Sequence, residues 1–573
     1  MPTSSDQLDR YLDRVDFSSY EDFARDFSVK VPKIFNFAYD VMDDLALRKG
    51  QENALVWCDE AGAEACFTYA DLKCLSDKTA QVFRAAGIRK GDPVMLVLKR
   101  RHEFWPCLLA LHKLGAIAIP ATHLLTVKDF VYRCGAADVV AIVCVDDPSV
   151  MDRVDEAAAA SPTLRIKAFV RSVHTDPASD PASGRSAAGP ARWIDLNLAV
   201  ASAGSSFVRP VGAEATANGD IMLLYFTSGT TGMPKMVRHD YAYPLGHILT
   251  AKYWQSVQAG GLHLTVADTG WAKAAWGKIY GQWFCGCAVF VYDYDRFMPK
   301  SMLEVIARYR VTSFCAPPTI YRFFIKEDLS RYDFSALAHC SVAGEPLNPE
   351  VYEQFKSATG LKLMEGYGQT ELTVTLATFP WMEPKPGSMG RPSPGYDIDL
   401  VREDGSSCEV GEEGQIVVRT DKRRPAGMFG GYYRDPELTA KVWHDGVYYT
   451  GDMAWKDEDG YFWFVGRSDD VIKSSGYRIG PFEVESALLE HPGVLECAVT
   501  GVPDPDRGMA VKATIVPAKG WVPSDDLAKE LQEHVKKTTA PYKYPRVVEF
   551  VTELPKTISG KIRRVQIREG DRK

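Results

Sequence analysis

No apolar stretch in this chain of 573 residues approaches the length of a membrane span. The longest such runs, for example residues 139–145, are far shorter than the roughly 20 apolar residues that a transmembrane helix needs. Residues 1–27 are acidic and lack an apolar core, so they match neither a secretory signal nor an Arg-rich transit peptide. We therefore expect a cytoplasmic protein without a membrane span.

Paired cysteines and excess positive charge are also missing. The 12 cysteines are scattered without a CxxC pair, and Cys285 and Cys287 are too close in sequence for a usual metal knuckle. Free thiols in a reducing compartment explain this pattern best. The net charge of −8 at pH 7 argues against nucleic acid as a partner, because binding its phosphates requires a basic face. A small phosphorylated ligand needs only a local site and is not excluded.

The composition that is present, 46% hydrophobic and 25% charged residues, is typical of a globular protein, and the length exceeds that of a single core. Strand-like and helix-like segments alternate from residue 67 to residue 147. Segments 94–98 and 116–119 predict strands on either side of a helix at 103–114. A second alternating block occupies residues 221–401. Such alternation predicts parallel sheets with helices on their faces.

The remaining segments indicate the domain layout. Residues 171–192 are rich in Pro, Ala and Ser and predict a surface loop, whereas Gly- and Pro-punctuated segments such as 414–418 predict a small β-barrel-like unit. A boundary is expected at Asp469. We predict an α/β fold with a large N-terminal domain (1–468) that holds two αβ-layered subdomains and the β-barrel-like unit. A small, mobile α+β C-terminal domain (469–573) follows it.

The strongest motif is an apolar, strand-like run that leads into Thr227-Ser228-Gly229-Thr230-Thr231-Gly232-Met233-Pro234-Lys235. Its glycines allow backbone N–H groups to approach phosphate oxygens, its hydroxyls can donate further hydrogen bonds, and its lysine adds positive charge. The logic is that of a Walker loop, but the spacing is different. Taken alone, the pattern would also fit an ordinary Gly/Thr turn.

Five further motifs follow in a fixed order: Ala343-Gly344-Glu345-Pro346, Glu365-Gly366-Tyr367-Gly368-Gln369-Thr370-Glu371, Tyr449-Thr450-Gly451-Asp452, residues 466–478 and residues 555–561. Together with the Gly/Thr loop they resemble the signatures of the adenylate-forming superfamily, which contains acyl-CoA synthetases, luciferases and peptide-synthetase adenylation domains. The resemblance spans residues 67–564 and is closest to medium-chain acyl-CoA synthetases. One such match is weak evidence, but six in order are strong.

The resemblance implies a site for ATP and AMP. Its expected residues are Thr227, Ser228, Gly229, Thr230, Thr231, Gly232, Lys235, Gly344, Glu345, Pro346, Gly366, Tyr367, Gly368, Gln369, Asp452 and Arg467. Within this set, Tyr367 would stack on adenine, and Asp452 would accept hydrogen bonds from both ribose hydroxyls. Without the other motifs, Asp452 would be better explained as a turn aspartate, and Tyr367 would fit a core aromatic equally well.

The resemblance also assigns three catalytic residues. Attack of a carboxylate on the α-phosphorus of ATP builds negative charge, so catalysis depends mainly on positioning and electrostatics. Thr370 would donate to the α-phosphate. Glu371 would bind Mg²⁺, an ion that favours hard oxygen ligands and retains water. Lys561 would contact the carboxylate and the α-phosphate oxygens.

A domain rotation is implied for the second half-reaction. Asp469 would be the pivot, since a few residues that change φ and ψ suffice for such a motion. The rotation would replace Lys561 at the site with the segment around Gly476, which leaves room for pantetheine. The expected CoA contacts are Ser475, Gly476, Tyr477, Arg478, Arg507, Lys536, Tyr544 and Arg546. Each basic residue could equally belong to a solvated cationic face.

One departure from the acetyl-CoA synthetases constrains the acid. Gly368 stands where those enzymes carry a tryptophan, and replacing an indole by hydrogen frees volume for methylenes worth about 0.8 kcal/mol each. Ala343 adds room, and Trp271 would wall the acyl pocket. We therefore expect a medium-chain, branched or aromatic acid rather than acetate.

Several alternatives stay open. The chain could be an aryl-CoA ligase such as a benzoate-CoA ligase, or a standalone adenylation domain that loads a carrier protein. A catalytically silent adenylate-binding scaffold would show erosion at Glu371, Asp452 or Lys561, and all three are present. A luciferase-type oxygenase has the same fold, but nothing requires it. The expected partners are a small carboxylic acid, ATP and CoA, and a homodimer is left open.

Overall fold

The computed structural model describes residues 5–175, 193–227, 233–475, 477–505, 507–556 and 562–571. Most of the predicted surface loop at 171–192 therefore lies outside the described residues. The same is true of the predicted site residues Ser228, Gly229, Thr230, Thr231, Gly232, Gly476 and Lys561.

The first part of the chain builds a mainly parallel sheet. Its elements are α1 (Ser5–Leu8), α2 (Tyr20–Asp26), α3 (Asp44–Lys49), β1 (Asn53–Asp59), β2 (Glu64–Thr68), α4 (Tyr69–Ala85), β3 (Pro93–Val97), α5 (Phe104–Leu114), β4 (Ile117–Pro120), α6 (Val127–Ala137), β5 (Ala141–Val145), α7 (Pro148–Ala159), β6 (Ile166–Val170), β7 (Trp193–Asp195), α8 (Leu196–Ser202), β8 (Ile221–Thr227) and β9 (Lys235–Asp240). Strands β1 and β2 form an antiparallel pair that belongs to the second sheet described below. The order of the first sheet is β7-β6-β5-β3-β4-β8-β9, and among its described strands only the β8–β9 pair is antiparallel. Strands β3 and β5 are buried along their whole length, as expected for a parallel sheet covered on both faces.

The middle of the chain forms a second, larger sheet. Its elements are α9 (Tyr243–Ile248), β10 (Leu262–Thr265), α10 (Lys273–Gly277), α11 (Gly281–Phe284), β11 (Ala288–Asp293), α12 (Pro299–Arg308), β12 (Ser313–Ala316), α13 (Pro318–Phe324), β13 (His339–Ala343), α14 (Pro349–Thr359), β14 (Leu363–Gly368), β15 (Val374–Ala377), β16 (Ser388–Pro392), β17 (Asp397–Val401), β18 (Gly414–Arg419), α15 (Pro436–Val442), β19 (Trp443–His444), β20 (Val447–Lys456) and β21 (Phe462–Arg467). The order is β17-β18-β20-β21-β16-β15-β14-β13-β12-β10-β11-β1-β2. The antiparallel strands expected after residue 401 are thus continuous with the parallel part of the sheet through β15 and β16.

The last part of the chain has its own sheet and its own core. Its elements are β22 (Ile472–Ser474), β23 (Tyr477–Ile479), α16 (Pro481–Glu490), β24 (Val494–Asp504), β25 (Gly508–Pro517), α17 (Asp525–Thr538), β26 (Val547–Phe550) and α18 (Arg564–Gly570). The Ser524 side chain caps α17 by accepting from the Leu527 backbone N–H, and α17 buries Leu527, Leu531 and Val535. These residues pack with α16 and β25 in a cluster separate from the large core.

The predicted α/β fold class, with a large first part and a small last part, is confirmed. The exact boundary at Asp469 stays a prediction. None of the 12 cysteines, all of which are described, takes part in a disulfide, and ten of them are buried. Within the described ranges, none of the helices is both long and apolar enough to cross a membrane.

Candidate active site

The β8–β9 hairpin presents the two ends of the Gly/Thr loop side by side. Thr227 pairs with Lys235 in the antiparallel register, although the five residues between Thr227 and Met233 are not described. The Tyr132 hydroxyl donates to the Pro234 carbonyl at 3.0 Å. The loop that the sequence assigns to phosphates therefore begins and ends on adjacent strands.

Asp452 is the centre of a buried hydrogen-bond network. It is 5% exposed, and its Oδ2 accepts from the Tyr367 hydroxyl and, at 2.6 Å, from the Gln369 amide. The Arg467 guanidinium donates to Oδ1 at 3.2 Å, because strands β20 and β21 place Asp452 opposite Arg467. Burial, followed by the charge of Asp452, raises the pKa of Tyr367 well above its ordinary value, so this hydroxyl stays a donor. Three predicted nucleotide residues therefore meet at one carboxylate.

Thr370 and Glu371 are held from a different side. The His239 imidazole contacts the Thr370 carbonyl at 2.8 Å through Nε2, which must carry the proton because a carbonyl only accepts. The Tyr432 hydroxyl donates to Glu371 Oε1 at 2.8 Å, and the Phe429 N–H donates to the Glu371 carbonyl at 2.7 Å. Burial lowers the pKa of His239 to about 3, so the ring is neutral at pH 7.

The adenine-side motifs lie next to each other in the sheet. The parallel β13–β14 pair aligns Ala343 with Gly366, which brings the Gly344-Glu345-Pro346 loop beside Tyr367. The Lys273 ammonium donates to the Ala343 carbonyl at 2.6 Å. No residue with a side chain fits at position 366 in place of Gly366, since its Cβ would lie 2.5 Å from Cε2 of Trp254.

The carboxyl group of Glu365 supports this loop from inside. Its Oε1 accepts from the Leu347 N–H at 3.1 Å, directly after Pro346. Burial raises the pKa of Glu365 to about 8, so the group is largely protonated at pH 7. A neutral carboxylic acid is far less costly to bury than a carboxylate.

The carboxylate of Glu371 fits a Mg²⁺ ion that arrives with ATP. Among the described residues, no cluster of three or more His, Cys, Asp or Glu side chains could hold a metal on its own. Mg²⁺ is typically bound by one or two carboxylates, waters and substrate phosphates, and Glu371 beside the phosphate-loop hairpin matches that donor set.

The space expected beside Gly368 is occupied. A Cβ at Gly368 would lie 2.1 Å from the Thr373 carbonyl oxygen and 2.5 Å from Cη2 of Trp276. The ring of Trp276 therefore occupies space that the absence of a side chain at Gly368 was expected to free, and the volume argument for Gly368 does not hold as stated. Ala343 is buried and Trp271 is half-buried, and their place in an acyl pocket stays a prediction.

Most of the described residues predicted to bind CoA make contacts within the small part. The Ser475 N–H donates to the Arg507 carbonyl at 3.0 Å, and the ring of Tyr477 stacks on Tyr542 at 4.2 Å. Two residues further along, the Tyr544 ring is contacted by cations, with Lys536 Nζ at 4.3 Å and the Arg546 guanidinium at 4.6 Å from its centroid.

Two residues of the predicted hinge region make contacts beyond that surface. Arg478 pairs with Glu403 of the large part at 2.6 Å. Asp469, the predicted pivot, lies 3.7 Å from the Nε of Arg467.

Family models identify the chain. A model described as AMP-binding enzyme matches residues 43–433, and one described as AMP-binding enzyme C-terminal domain matches residues 483–561. The chain belongs to the AMP-binding enzyme family. Mitochondrial acyl-coenzyme A synthetase ACSM3 of Mus musculus is 42% identical to it over 96% of this chain and 93% of that protein.

Solved structures agree with this assignment. The anthranilate CoA ligase AuaEII in complex with anthranoyl-AMP has a TM-score of 0.82 and 27% identity, with 95% of this chain and 98% of that chain covered. A benzoate CoA ligase from Burkholderia xenovorans LB400 has a TM-score of 0.77 and 26% identity, with 93% and 100% covered.

Sequence reasoning missed two residues of this AMP-binding enzyme that contact the predicted site. A signal existed for His239: it lies two residues after Val237 on strand β9, on the buried face, where a neutral imidazole needs a partner. The sequence contained no signal for Tyr432, because this residue and its partner Glu371 lie 61 positions apart in the chain.

Proposed function

We propose that this AMP-binding enzyme activates a carboxylic acid with ATP and transfers the acyl group to CoA. In the first half-reaction the carboxylate oxygen forms a bond to the α-phosphorus, the bond to the β-phosphate oxygen breaks, and pyrophosphate leaves. In the second, the CoA sulfur forms a bond to the acyl carbon and AMP leaves. The products are acyl-CoA, AMP and pyrophosphate.

The observation that supports the proposal most is the set of hydrogen bonds around Asp452 and Glu371, which would serve as a pre-formed nucleotide site. Asp452 is held ready for the ribose by its contacts with Tyr367, Gln369 and Arg467, and Glu371 is fixed by Tyr432. Such pre-organised charges stabilise a charged transition state without reorganisation during the reaction. Mg²⁺, when bound, would offset the negative charge of the ATP phosphates.

The roles of the undescribed residues follow the same scheme. The hydroxyls and N–H groups of residues 228–232 would hold the phosphates, and Lys561 would stabilise the attacked α-phosphate. Rotation about Asp469 would then bring Gly476 and its neighbours to the site, with Arg478, Arg507, Lys536 and Arg546 on the CoA phosphates.

The decisive experiment measures pyrophosphate release and acyl-CoA formation over straight, branched and aromatic acids, with CoA or a phosphopantetheinyl carrier protein as acceptor. A medium-chain, branched or aromatic acid with CoA should give the highest kcat/KM. Turnover of acetate alone, or of the carrier but not CoA, would contradict the proposal. No pyrophosphate release with any acid would favour a silent scaffold.

Aromatic acids are the second candidate substrate. The buried indole of Trp276 lies beside Gly368, and if this region borders the acyl pocket, a planar ring would favour packing against an aryl acid. Gly368→Trp, the obvious variant to shorten the pocket, should disrupt local packing because its Cβ would overlap the Thr373 carbonyl. Trp276→Ala is the better test: it should shift preference from aromatic to longer aliphatic acids.

Location and assembly also stay predictions. The mouse relative is named mitochondrial, whereas we propose a cytoplasmic location for this chain. Fractionation of cells that express the full chain would decide between the two compartments. Light scattering on the purified protein would show whether it is a monomer or a homodimer.

A further inference from the structure

Tyr432 lies outside every motif of the predicted site, yet it contacts two of its residues. Its hydroxyl donates to Glu371 Oε1 at 2.8 Å, and its ring centroid is 5.3 Å from the ammonium of Lys235. The residue is 6% exposed. Burial, followed by the charge of Glu371, raises the pKa of Tyr432 far above its ordinary value, so the hydroxyl remains a donor. One side chain therefore connects the predicted phosphate lysine with the predicted metal carboxylate.

The backbone around Tyr432 is fixed to strand β9. Tyr432 forms an antiparallel bridge with Val237, and the Tyr433 N–H donates to the Met236 carbonyl at 2.7 Å. The Tyr432 N–H itself donates to the Thr439 hydroxyl at 2.9 Å. Since β9 begins at Lys235, the lysine and the tyrosine hydroxyl are positioned by the same strand.

We propose that Tyr432 is a positioning residue for the nucleotide-bound metal, and this inference rests on the proposed function. Its hydroxyl fixes one oxygen of Glu371, so that the other oxygen is presented to Mg²⁺. Its ring attracts the Lys235 ammonium by a cation–π interaction and keeps that charge beside the metal carboxylate. Tyr432 acts through these two residues and does not itself touch the reacting atoms.

The physical reason is the demand of Mg²⁺ for near-ideal geometry. The ion loses water reluctantly and accepts little distortion, so a single carboxylate that rotates freely is a poor ligand. Residues that orient a ligand typically change metal affinity 10- to 100-fold when they are replaced. Tyr432→Phe removes the hydroxyl alone and retains the ring over which Lys235 lies.

The first measurement is the Mg²⁺ concentration that gives half-maximal pyrophosphate release at saturating ATP and acid. Tyr432→Phe should raise this concentration about tenfold, with kcat recovered at high Mg²⁺ and KM for the acid unchanged. The second needs no catalysis: the increase in Tm that ATP causes without acid should require about tenfold more Mg²⁺ in the variant. Tyr433→Phe, the neighbouring tyrosine, should match the wild type in both.

Glu371→Gln separates the inference from the proposed function. If Glu371→Gln keeps the wild-type Mg²⁺ dependence, the metal site of the proposed function is wrong, and the inference falls with it. If Glu371→Gln impairs Mg²⁺ use but Tyr432→Phe does not, only the inference is overturned. A loss of kcat at every Mg²⁺ concentration, with a lower Tm, would show a merely structural role and would also overturn it. Combining both changes should add nothing to Glu371→Gln alone.

Discussion

The predicted nucleotide residues and the predicted CoA residues are held in different ways. Asp452 is buried and receives hydrogen bonds from three side chains, whereas Tyr477 is 51% exposed and Arg478 engages a single exposed partner, Glu403. A buried network keeps its geometry without a ligand, but an exposed ion pair contributes roughly 0–1 kcal/mol and is easily exchanged. The contrast indicates that the first surface is built to be rigid and the second to change partners.

Removing the centre of the rigid network should have the largest effect. Asp452→Ala leaves the Tyr367 hydroxyl and the partly exposed Arg467 guanidinium without their acceptor, and leaving such a donor without its partner typically costs about 1–3 kcal/mol. We expect a clear fall in Tm and loss of detectable pyrophosphate release. Asp452→Asn should retain more stability than activity. An unchanged Tm in Asp452→Ala would contradict the claim that the network around Asp452 is more rigid than the surface predicted to bind CoA.

The next effect concerns the predicted lysine loop. Lys561→Ala should raise the barrier to adenylation by about 3–4 kcal/mol, by comparison with the loss of an oxyanion donor. Supplied acyl-adenylate should still react with CoA, because that half-reaction would use the other face of the small domain. Stopped assays of each half-reaction would test this, and equal losses in both would contradict the predicted rotation.

A smaller effect on stability is expected when the pH is lowered. Burial lowers the pKa of His239 from 6.5 to about 3, so the unfolded chain binds a proton below pH 6.5 that the folded chain does not. The free energy of unfolding is therefore highest above pH 6.5, as far as His239 is concerned, and it falls as the pH decreases below that value. Between pH 7 and pH 5 the loss is about 2 kcal/mol for such a residue. Urea unfolding should show a smaller pH dependence for His239→Gln, and identical dependences would contradict the assignment.

The smallest effect is expected from changes to the exposed ion pair of Arg478 and Glu403. Arg478→Ala should leave Tm and pyrophosphate release unchanged, because the pair with Glu403 is exposed. It should raise KM for CoA several-fold by removing a phosphate contact. Glu403→Ala should lower KM for CoA slightly, since Arg478 would no longer need to leave a partner. A change in adenylation by either variant would mean that the two sides are not independent.

Motifs of local origin were predictable from the sequence. The Gly/Thr loop lies between two strands, Ser524 caps its helix, and the apolar spacing of Leu527, Leu531 and Val535 defines a buried face. Such features depend on backbone conformation and side-chain periodicity within a few residues. The order of the motifs then indicated the family and the set of nucleotide residues.

Contacts between distant segments were not predictable. Tyr432 reaches Glu371 only because residues 430–433 pair with strand β9, and Trp276 fills the space beside Gly368 only because the fold brings α10 close to the end of β14. A glycine in a motif reveals a close approach, but not which side chain approaches. The surroundings of Gly368 therefore needed coordinates, whereas the strands on either side of the Gly/Thr loop did not.

The pairing of β20 with β21 has a consequence for the order of events. Arg467 donates a hydrogen bond to the Asp452 carboxylate. It also lies two residues before Asp469, and its Nε is 3.7 Å from the Asp469 carboxylate. A turn of the chain at Asp469 would pull on the same guanidinium that steadies the ribose acceptor. By thermodynamic reciprocity, a domain orientation that weakens the Arg467–Asp452 contact would also lower the affinity for AMP. Release of AMP would therefore be coupled to the domain rotation that brings the CoA thiol to the site.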